Sequence, residues 1–187
     1  MFQEDIEKSL ETLIRGGVIL YPTDTVWGIG CDATNHKAVE RIYAIKRRNE
    51  ARSMLTLVDS PGMLAVYVED IPETAMRLNA EATSPLSIIY LAAKNLAKNL
   101  IANDNSIGIR MVKEPFCQQL IQKFGKPLVS TSANISGEPT PVIFDEISTK
   151  IKTMVDYVVR WRQNDRQPAA ASSIIKLNTD GSYIVLR

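Results

Sequence analysis

The sequence predicts an α/β fold in which a twisted mixed sheet is flanked by helices. Patterns typical of helices and strands alternate along the chain, and several strand patterns follow one another near the C-terminus. The consecutive strands favour a mixed sheet over a strictly doubly wound one. The chain has 187 residues, 45% of them hydrophobic, and can bury a sizeable core, so we expect residues 1–187 to form a single domain.

The first elements follow from apolar spacing and from glycine and proline. Apolar residues within positions 1–15 recur at helical spacing until the glycines at 16–17, which predicts an opening amphipathic helix. Residues 18–21 predict a buried strand that Pro22 ends. Hydroxyl and glycine residues are frequent over 23–30, so we expect a loop there.

A second helix is expected to begin after Thr34 or Asn35, whose side chains can accept hydrogen bonds from the free amides of its first turn. It delivers the basic residues 46–48 at its C-terminal end, where the helix dipole favours positive charge. The later elements expected, in chain order, are a strand at 54–58, a helix from Ser60, strands at 86–92 and 107–111, a helix over 115–124, a strand at 128–129, a helix over 144–151, a strand at 157–159, a mobile loop over 162–171, and strands at 174–177 and 183–186.

Net charge and the scarcity of histidine and cysteine narrow the classes of function. A net charge of +1 excludes a protein that coats nucleic acid through bulk charge. His36 is the one histidine, so any catalytic triad or dyad that uses histidine would have to contain it. Cys31 and Cys117 form no zinc motif. No apolar run is long enough for a membrane span, and residues 1–15 lack a signal-peptide pattern, so we expect a cytoplasmic protein.

Four polar clusters lie directly after or inside predicted buried strands, where rigid elements can hold a ligand. The first is Thr23-Asp24-Thr25, although threonines after a proline also serve simply to satisfy a turn. The second contains Lys46, Arg47, Arg48 and Arg52. It is either a solvated basic face or a phosphate site, because Arg48 and Arg52 flank a short loop that leads into an apolar strand.

The third cluster, residues 106–110, places Arg110 inside an apolar strand. An ionised residue there needs either an anionic ligand or a buried salt bridge to an acidic residue, and Gly108 would let a ligand approach the backbone. The fourth cluster, residues 130–137, offers hydroxyl, amide and backbone N–H groups. Neither a P-loop nor a G-x-G-x-x-G motif occurs, so the usual nucleotide-binding loops are excluded.

These clusters belong to longer motifs that occur together in one known family. The motifs are YPTDTVWGIGCDA, the K-x-R of 46–48, the GIR of 108–110 and KPLVSTSANISGEPTP, in this order. Over nearly its whole length the chain resembles the threonylcarbamoyl-AMP synthases of the YrdC-like type. The resemblance implies an α/β fold with a large concave cavity and a nucleotidyltransferase activity. The implied substrates are L-threonine, bicarbonate and ATP, with Mg²⁺, and the implied products are L-threonylcarbamoyladenylate and pyrophosphate.

The resemblance also implies site residues and a partner. It implies that threonine contacts Thr25, Arg110, Ser130 and Ser172, and that ATP contacts Arg48, Arg52, Ser106, Ser132, Thr140 and Arg187. Lys46, Arg48, Ser132 and Asn134 are expected at the reaction centre, and no metal ligand is implied. The product would pass to a partner complex that modifies an adenosine in tRNA. Lys176 departs from the family pattern, which has an acidic residue there.

Two other interpretations are compatible with the sequence. The first is a binding module in which a basic rim of Arg47, Arg160, Arg162 and Arg166 contacts double-stranded RNA, tRNA or a ribosomal precursor. The second is an adenylate-forming enzyme that acts on another small amino or carbamoyl acceptor. Pyrophosphate release, measured with and without threonine and bicarbonate, discriminates all three.

Overall fold

A computed structural model describes residues 2–49, 53–178 and 180–187. The α-helices are α1 (Gln3–Ile14), α2 (His36–Lys46), α3 (Pro61–Tyr67), α4 (Glu73–Glu81), α5 (Pro115–Phe124) and α6 (Thr149–Met154), with a short 3-10 helix at Phe144–Glu146. The strands are β1 (Ile19–Tyr21), β2 (Gly28–Gly30), β3 (Leu55–Val58), β4 (Leu86–Tyr90), β5 (Ile107–Met111), β6 (Leu128–Ser132), β7 (Tyr157–Val158), β8 (Ser173–Leu177) and β9 (Tyr183–Val185).

The strands form one mixed sheet in the order β7-β1-β2-β6-β3-β5-β4-β8-β9. The pairs β1–β7, β3–β5 and β4–β8 are parallel, and the other neighbouring pairs are antiparallel. The predicted mixed sheet with flanking helices is therefore confirmed. No helix of the described residues is both long and apolar enough to cross a bilayer.

Local capping explains where helices α2 and α5 begin. The Asn35 side chain accepts from the Ala38 amide at 3.2 Å and so caps α2, as expected. Glu114 accepts from the Cys117 amide at 2.8 Å and caps α5, whose first residue is a proline with no amide to satisfy. Gly125 ends α5 in the left-handed region at a φ of 71°.

Two strands differ from the expected pattern around the polar clusters. The predicted loop over 23–30 is wrong at its end, because Gly28–Gly30 forms β2 between β1 and β6. Strand β6 continues through the hydroxyl residues to Ser132, where the sequence predicts a loop from 130 onwards. Backbone pairing on both sides of β2 and β6 overrides their weak intrinsic preference for strand.

Helical predictions differ at three places. The expected helix over 144–151 is divided into the 3-10 helix and α6, separated by Ile147 in extended backbone. Helix α4 is not among the predicted helices because Ala75 is its one buried residue and its apolar periodicity is weak. Ile14, which completes the apolar pattern of α1, is 73% exposed.

Strand β5 shows how the sheet separates core from cavity. Side chains alternate between the two faces of a strand. Ile107 and Ile109 are buried on one face, whereas Gly108 and Arg110 line a cavity on the other. Apolar residues of α1, α2 and α5, together with Ile107 and Ile109, belong to the same hydrophobic core.

Candidate active site

A cavity of about 360 Å³ lies over six adjacent strands, from β2 across β6, β3, β5 and β4 to β8. Its volume falls within the range of about 300–1,000 Å³ that is usual for small-ligand sites. Its apolar side chains are Val26, Trp27, Met54, Leu55, Ile89, Ala171 and Ile174. Its polar side chains are Thr25, Arg48, Ser53, Ser106, Arg110, Ser130, Thr131, Ser132, Thr140, Ser172 and Arg187. The expected concave cavity is therefore present.

Arg110 is the most deeply buried charge of the cavity, with 3% of its side chain exposed. Its terminal nitrogen Nη2 lies 3.0 Å from Asp24 Oδ1 and 3.5 Å from Thr23 Oγ1. The contact to Asp24 is an ion pair without hydrogen-bond alignment, and among the described residues neither Asp24 Oδ1 nor Arg110 Nε has a hydrogen-bond partner. The salt bridge proposed as the structural alternative is thus real, but it leaves a buried guanidinium donor unsatisfied. Such a donor is suited to an anionic ligand.

Thr25 faces the cavity beside Arg110, and its neighbours fix the direction of its hydroxyl proton. Thr23 Oγ1 lies 2.9 Å from the Val26 carbonyl, which can only accept, so Thr23 donates its proton there. The same oxygen accepts from the Thr25 amide at 3.0 Å and lies 2.9 Å from Thr25 Oγ1. Thr25 must therefore donate in that contact, and its Oγ1 presents only acceptor lone pairs to the cavity.

Two further guanidinium groups, of Arg48 and Arg187, also line the cavity. Arg48 Nη2 donates to the Ser53 carbonyl at 2.9 Å, which holds the Arg48 side chain beside the residues that lead into β3. Arg187 Nε donates to the Ser172 carbonyl at 3.0 Å, and the hydroxyls of Ser172 and Ser87 are 2.9 Å apart. The C-terminal residue is thereby fastened to the segment that leads into β8.

Lys46 fastens the end of β6 from behind the cavity. Its Nζ donates to the carbonyls of Ser132 and Asn134 at 2.5 and 2.7 Å and lies 3.5 Å from Asn134 Oδ1. Burial, with a smaller repulsion from Arg48, lowers the pKa of Lys46 to about 8. Lys46 is only 1% exposed and is not among the residues that line the cavity. Its contacts stabilise the backbone of the serine-rich segment.

Asn134 orients Ser132 at the same place. Asn134 Nδ2 donates to the carbonyls of Ile135 and Glu138 at 3.1 and 2.7 Å, so its Oδ1 must face the Ser132 hydroxyl 2.5 Å away. Ser132 therefore donates its proton to Asn134 and offers acceptor lone pairs to the cavity.

Most of the site residues predicted from the sequence meet in this cavity. The nine that line it are Thr25, Arg48, Ser106, Arg110, Ser130, Ser132, Thr140, Ser172 and Arg187. Lys46 and Asn134 contact this set from outside the lining, and Arg52 lies outside the described residues. The apolar lining and the Asp24 ion pair were not predicted. Of these residues, Asp24, Val26 and Trp27 carried a sequence signal, namely their place within the YPTDTVWGIG motif.

The described residues provide neither a metal cluster nor a reactive thiol. No group of three or more His, Cys, Asp or Glu side chains in residues 2–49, 53–178 and 180–187 could hold a metal ion. Cys31 and Cys117 are buried and free, and burial raises the pKa of both thiols, as expected for packing residues.

The basic rim suggested for RNA binding is largely neutralised. Arg160 pairs with Glu4 at 2.6 Å, Arg162 with Asp165 at 3.0 Å and Arg166 with Asp145 at 2.9 Å. Paired arginines release fewer counterions from a phosphate backbone than free ones. The pairing of these arginines therefore favours the cavity, and not the rim, as the functional site.

The fold and cavity define an α/β protein in which arginines over one face of a mixed sheet line a cavity suited to anions. Residues 11–187 match the profile of the Sua5/YciO/YrdC family, which is described as "telomere recombination". The chain belongs to this family.

Similar proteins agree with that membership. The chain is 39% identical to the threonylcarbamoyl-AMP synthase of Pseudoalteromonas translucida over 84% of its own length and 86% of that protein. It is 32% identical to the enzyme of the same name from Vibrio cholerae, over 87% and 88% of the two chains. E. coli YciO superposes with a TM-score of 0.85 at 26% identity, covering 99% of this chain and 89% of that one. P. abyssi Sua5, complexed with L-threonine, shares the fold at 23% identity with a TM-score of 0.87, covering 98% of this chain and 54% of that one.

Proposed function

We propose that this protein is a threonylcarbamoyl-AMP synthase, which forms L-threonylcarbamoyladenylate and pyrophosphate from L-threonine, bicarbonate and ATP. The observation that carries the proposal is the joining, in one cavity, of the buried Arg110 with Arg48 and Arg187. Two anionic groups, a carboxylate and a polyphosphate, can then bind side by side. The relatives that bear this enzyme's name support the assignment.

In the proposed complex, Arg110 binds the threonine carboxylate through the donors that Asp24 and Thr23 leave available. Thr25 Oγ1 accepts from the threonine amino group, consistent with its lone pairs facing the cavity. Ser130 and Ser172 complete the threonine contacts. Arg48 and Arg187, together with Arg52, neutralise the phosphates, and Ser106, Ser132 and Thr140 contact other parts of ATP.

The proposed chemistry requires alignment and charge neutralisation more than a covalent nucleophile. The threonine amine adds to bicarbonate and loses water, which gives a carbamate. A carbamate oxygen then attacks the α-phosphorus of ATP, and the bond to the bridging oxygen breaks to release pyrophosphate. Fixed guanidinium groups stabilise the negative charge that accumulates on the phosphoryl oxygens. Lys46, through its contacts to Ser132 and Asn134, keeps the end of β6 in place for this step.

Mg²⁺ would arrive bound to ATP. Magnesium keeps several waters and binds mainly to substrate phosphates in such sites. We assign it no protein ligand, because the lining side chains are hydroxyls, arginines and apolar groups, none of which is a carboxylate within the described residues. We place the reaction in the cytoplasm, where a partner complex would transfer the threonylcarbamoyl group to tRNA.

Pyrophosphate release by the purified chain tests the proposal. We expect release from ATP only when threonine and bicarbonate are both present, with threonylcarbamoyladenylate detected by mass spectrometry. Arg166→Ala is the matched control for arginine substitutions in the cavity, because Arg166 pairs with Asp145 on the surface and does not line the cavity. Release that depends on a different amino acid would indicate another adenylate-forming enzyme, and no release under any condition would contradict the assignment.

A further inference from the structure

Ser106 directly precedes β5, whereas Arg110 lies near the other end of this strand. Ser106, Gly108 and Arg110 alternate along the chain and all line the cavity. Four steps of extended backbone, at about 3.3 Å each, separate the Cα atoms of Ser106 and Arg110 by roughly 13 Å. Ser106 and Arg110 therefore contact different regions of the cavity. We assign a ligand group at Ser106 to the nucleotide and the carboxylate at Arg110 to the amino acid.

Asp104 fixes the proton of the Ser106 hydroxyl. Ser106 Oγ lies 2.5 Å from Asp104 Oδ1, and the Ser106 amide donates to the same oxygen at 3.1 Å. The hydroxyl bond above all, then the amide bond and a more distant contact with Lys176, holds the pKa of Asp104 below its usual value. An ionised carboxylate can only accept, so Ser106 must donate its single hydroxyl proton to Asp104.

The Ser106 hydroxyl can therefore act only as a hydrogen-bond acceptor towards a ligand in the cavity. With its proton committed to Asp104, Ser106 Oγ has only lone pairs left for a ligand, and the residue is 7% exposed. A phosphate oxygen carries no proton to offer and is repelled there. An amino or hydroxyl group of a nucleoside is a suitable partner.

We propose that Asp104 is a positioning residue that makes Ser106 an obligate hydrogen-bond acceptor, through which the enzyme recognises an N–H or O–H donor of the nucleoside part of its nucleotide substrate. This inference rests on the proposed function for the identity of the nucleotide. The donor is either the 6-amino group of adenine or a ribose hydroxyl, and the test separates the two.

A purely structural role for Asp104 predicts different behaviour. The bond from the Ser106 amide to Asp104 is a common turn contact and would exist without any ligand. Ser106→Ala keeps that bond and removes only the hydroxyl. Asp104→Ala removes the acceptor and frees the hydroxyl to donate, whereas Asp104→Asn keeps an acceptor oxygen at the same place.

The experiment compares KM for ATP with KM for inosine triphosphate, 2′-deoxy-ATP and 3′-deoxy-ATP in the pyrophosphate-release assay. In the wild type we expect the analogue that lacks the recognised donor to have a KM about 5- to 100-fold above that of ATP, because it leaves a buried acceptor unpaired. In Ser106→Ala the KM for ATP rises by a similar factor and the discrimination disappears. In Asp104→Ala both values change in the same direction but by less, because the freed hydroxyl can still accept. KM for threonine and kcat stay within about threefold of wild type.

Two further variants complete the design. Asp104→Asn should retain most of the discrimination, as a conservative rescue. Lys176→Met should have less than about a threefold effect, because the Lys176–Asp104 pair is 37% and 53% exposed and contributes little.

Equal KM values for ATP and all three analogues in the wild type would overturn the proposal. So would unchanged discrimination in Ser106→Ala, or a loss of kcat and threonine affinity in Asp104→Ala that Asp104→Asn shares. Absence of pyrophosphate release by the wild type would instead count against the proposed function. Calorimetric binding of the same four nucleotides to the same variants would then test the role of Ser106 directly.

Discussion

Substitution of Arg110 should affect stability and catalysis separately, and the Asp24 ion pair allows the two effects to be resolved. Arg110 is 3% exposed and Asp24 is 13% exposed, at a separation of 3.0 Å. Arg110→Ala leaves the Asp24 carboxylate nearly buried without a counter-ion. Removal of one partner of a buried pair typically costs about 3–5 kcal/mol. For a chain of this size, about 2–4 °C per kcal/mol corresponds to a fall in Tm of roughly 6–20 °C.

The catalytic effect is estimated from the hydrogen bonds that Arg110 would make to the substrate carboxylate. Each charge-assisted bond contributes about 1.5–3 kcal/mol, so two contribute about 3–6 kcal/mol. At 1.4 kcal/mol for each factor of ten, we expect kcat/KM for threonine to fall by about 10²–10⁴-fold. The apparent affinity for ATP should change little, because the phosphates are assigned to other residues.

The double variant Asp24→Asn/Arg110→Ala separates stability from function. It removes the unpaired Asp24 charge. We therefore expect the free energy of unfolding to return to within about 1–2 kcal/mol of the wild-type value, while threonine-dependent pyrophosphate release stays lost. A double variant that is stable and has a wild-type KM for threonine would refute the assignment of Arg110 as the carboxylate ligand. If Arg110→Ala alone were as stable as wild type, the ion pair with Asp24 would not contribute to stability.

Three further changes test other parts of the structure. Because burial lowers the pKa of Lys46 from 10.5 to about 8, the stability of the wild type relative to Lys46→Met should rise between those pH values, by at most about 1.4 kcal/mol per pH unit, in denaturant titrations. Gly108→Ala should change the free energy of unfolding by less than about 1 kcal/mol in thermal melting. Its Cβ would lie 2.6 Å from Leu55 Cδ2, the end of a flexible side chain that lines the cavity and can move into it. Asp5→Ala should cost about 2–5 kcal/mol in the same assay with KM unchanged, because Asp5 accepts from the Tyr157 hydroxyl and two backbone amides at 2.5, 3.1 and 2.9 Å, outside the cavity.

Local patterns in the sequence predicted the helices and strands whose apolar residues repeat regularly, and the resemblance to a known family implied nine of the eleven polar side chains that line the cavity. Strand β2 was missed because glycine indicates turns more often than strands. In the folded chain Gly30 is required by close packing, since a Cβ there would lie 2.4 Å from the Val129 carbonyl oxygen. The Asp24–Arg110 pair was also beyond prediction. Its partners are far apart in sequence, and an acidic residue within a polar turn gives no signal of which cation it meets.

The cavity also has a property that no single motif expresses. Thr25, Ser106 and Ser132 each give their only hydroxyl proton to a neighbour, namely Thr23, Asp104 and Asn134. Their oxygens consequently face the ligand as acceptors, while Arg48, Arg110 and Arg187 can only donate. Donors and acceptors are thus assigned to fixed positions before any substrate binds. Anionic oxygens must bind at the arginines, and amino or hydroxyl groups at the hydroxyl oxygens, because rotating a serine or threonine to donate would break an existing hydrogen bond. This preorganisation limits the orientation of both substrates without requiring a general base or nucleophile among these side chains.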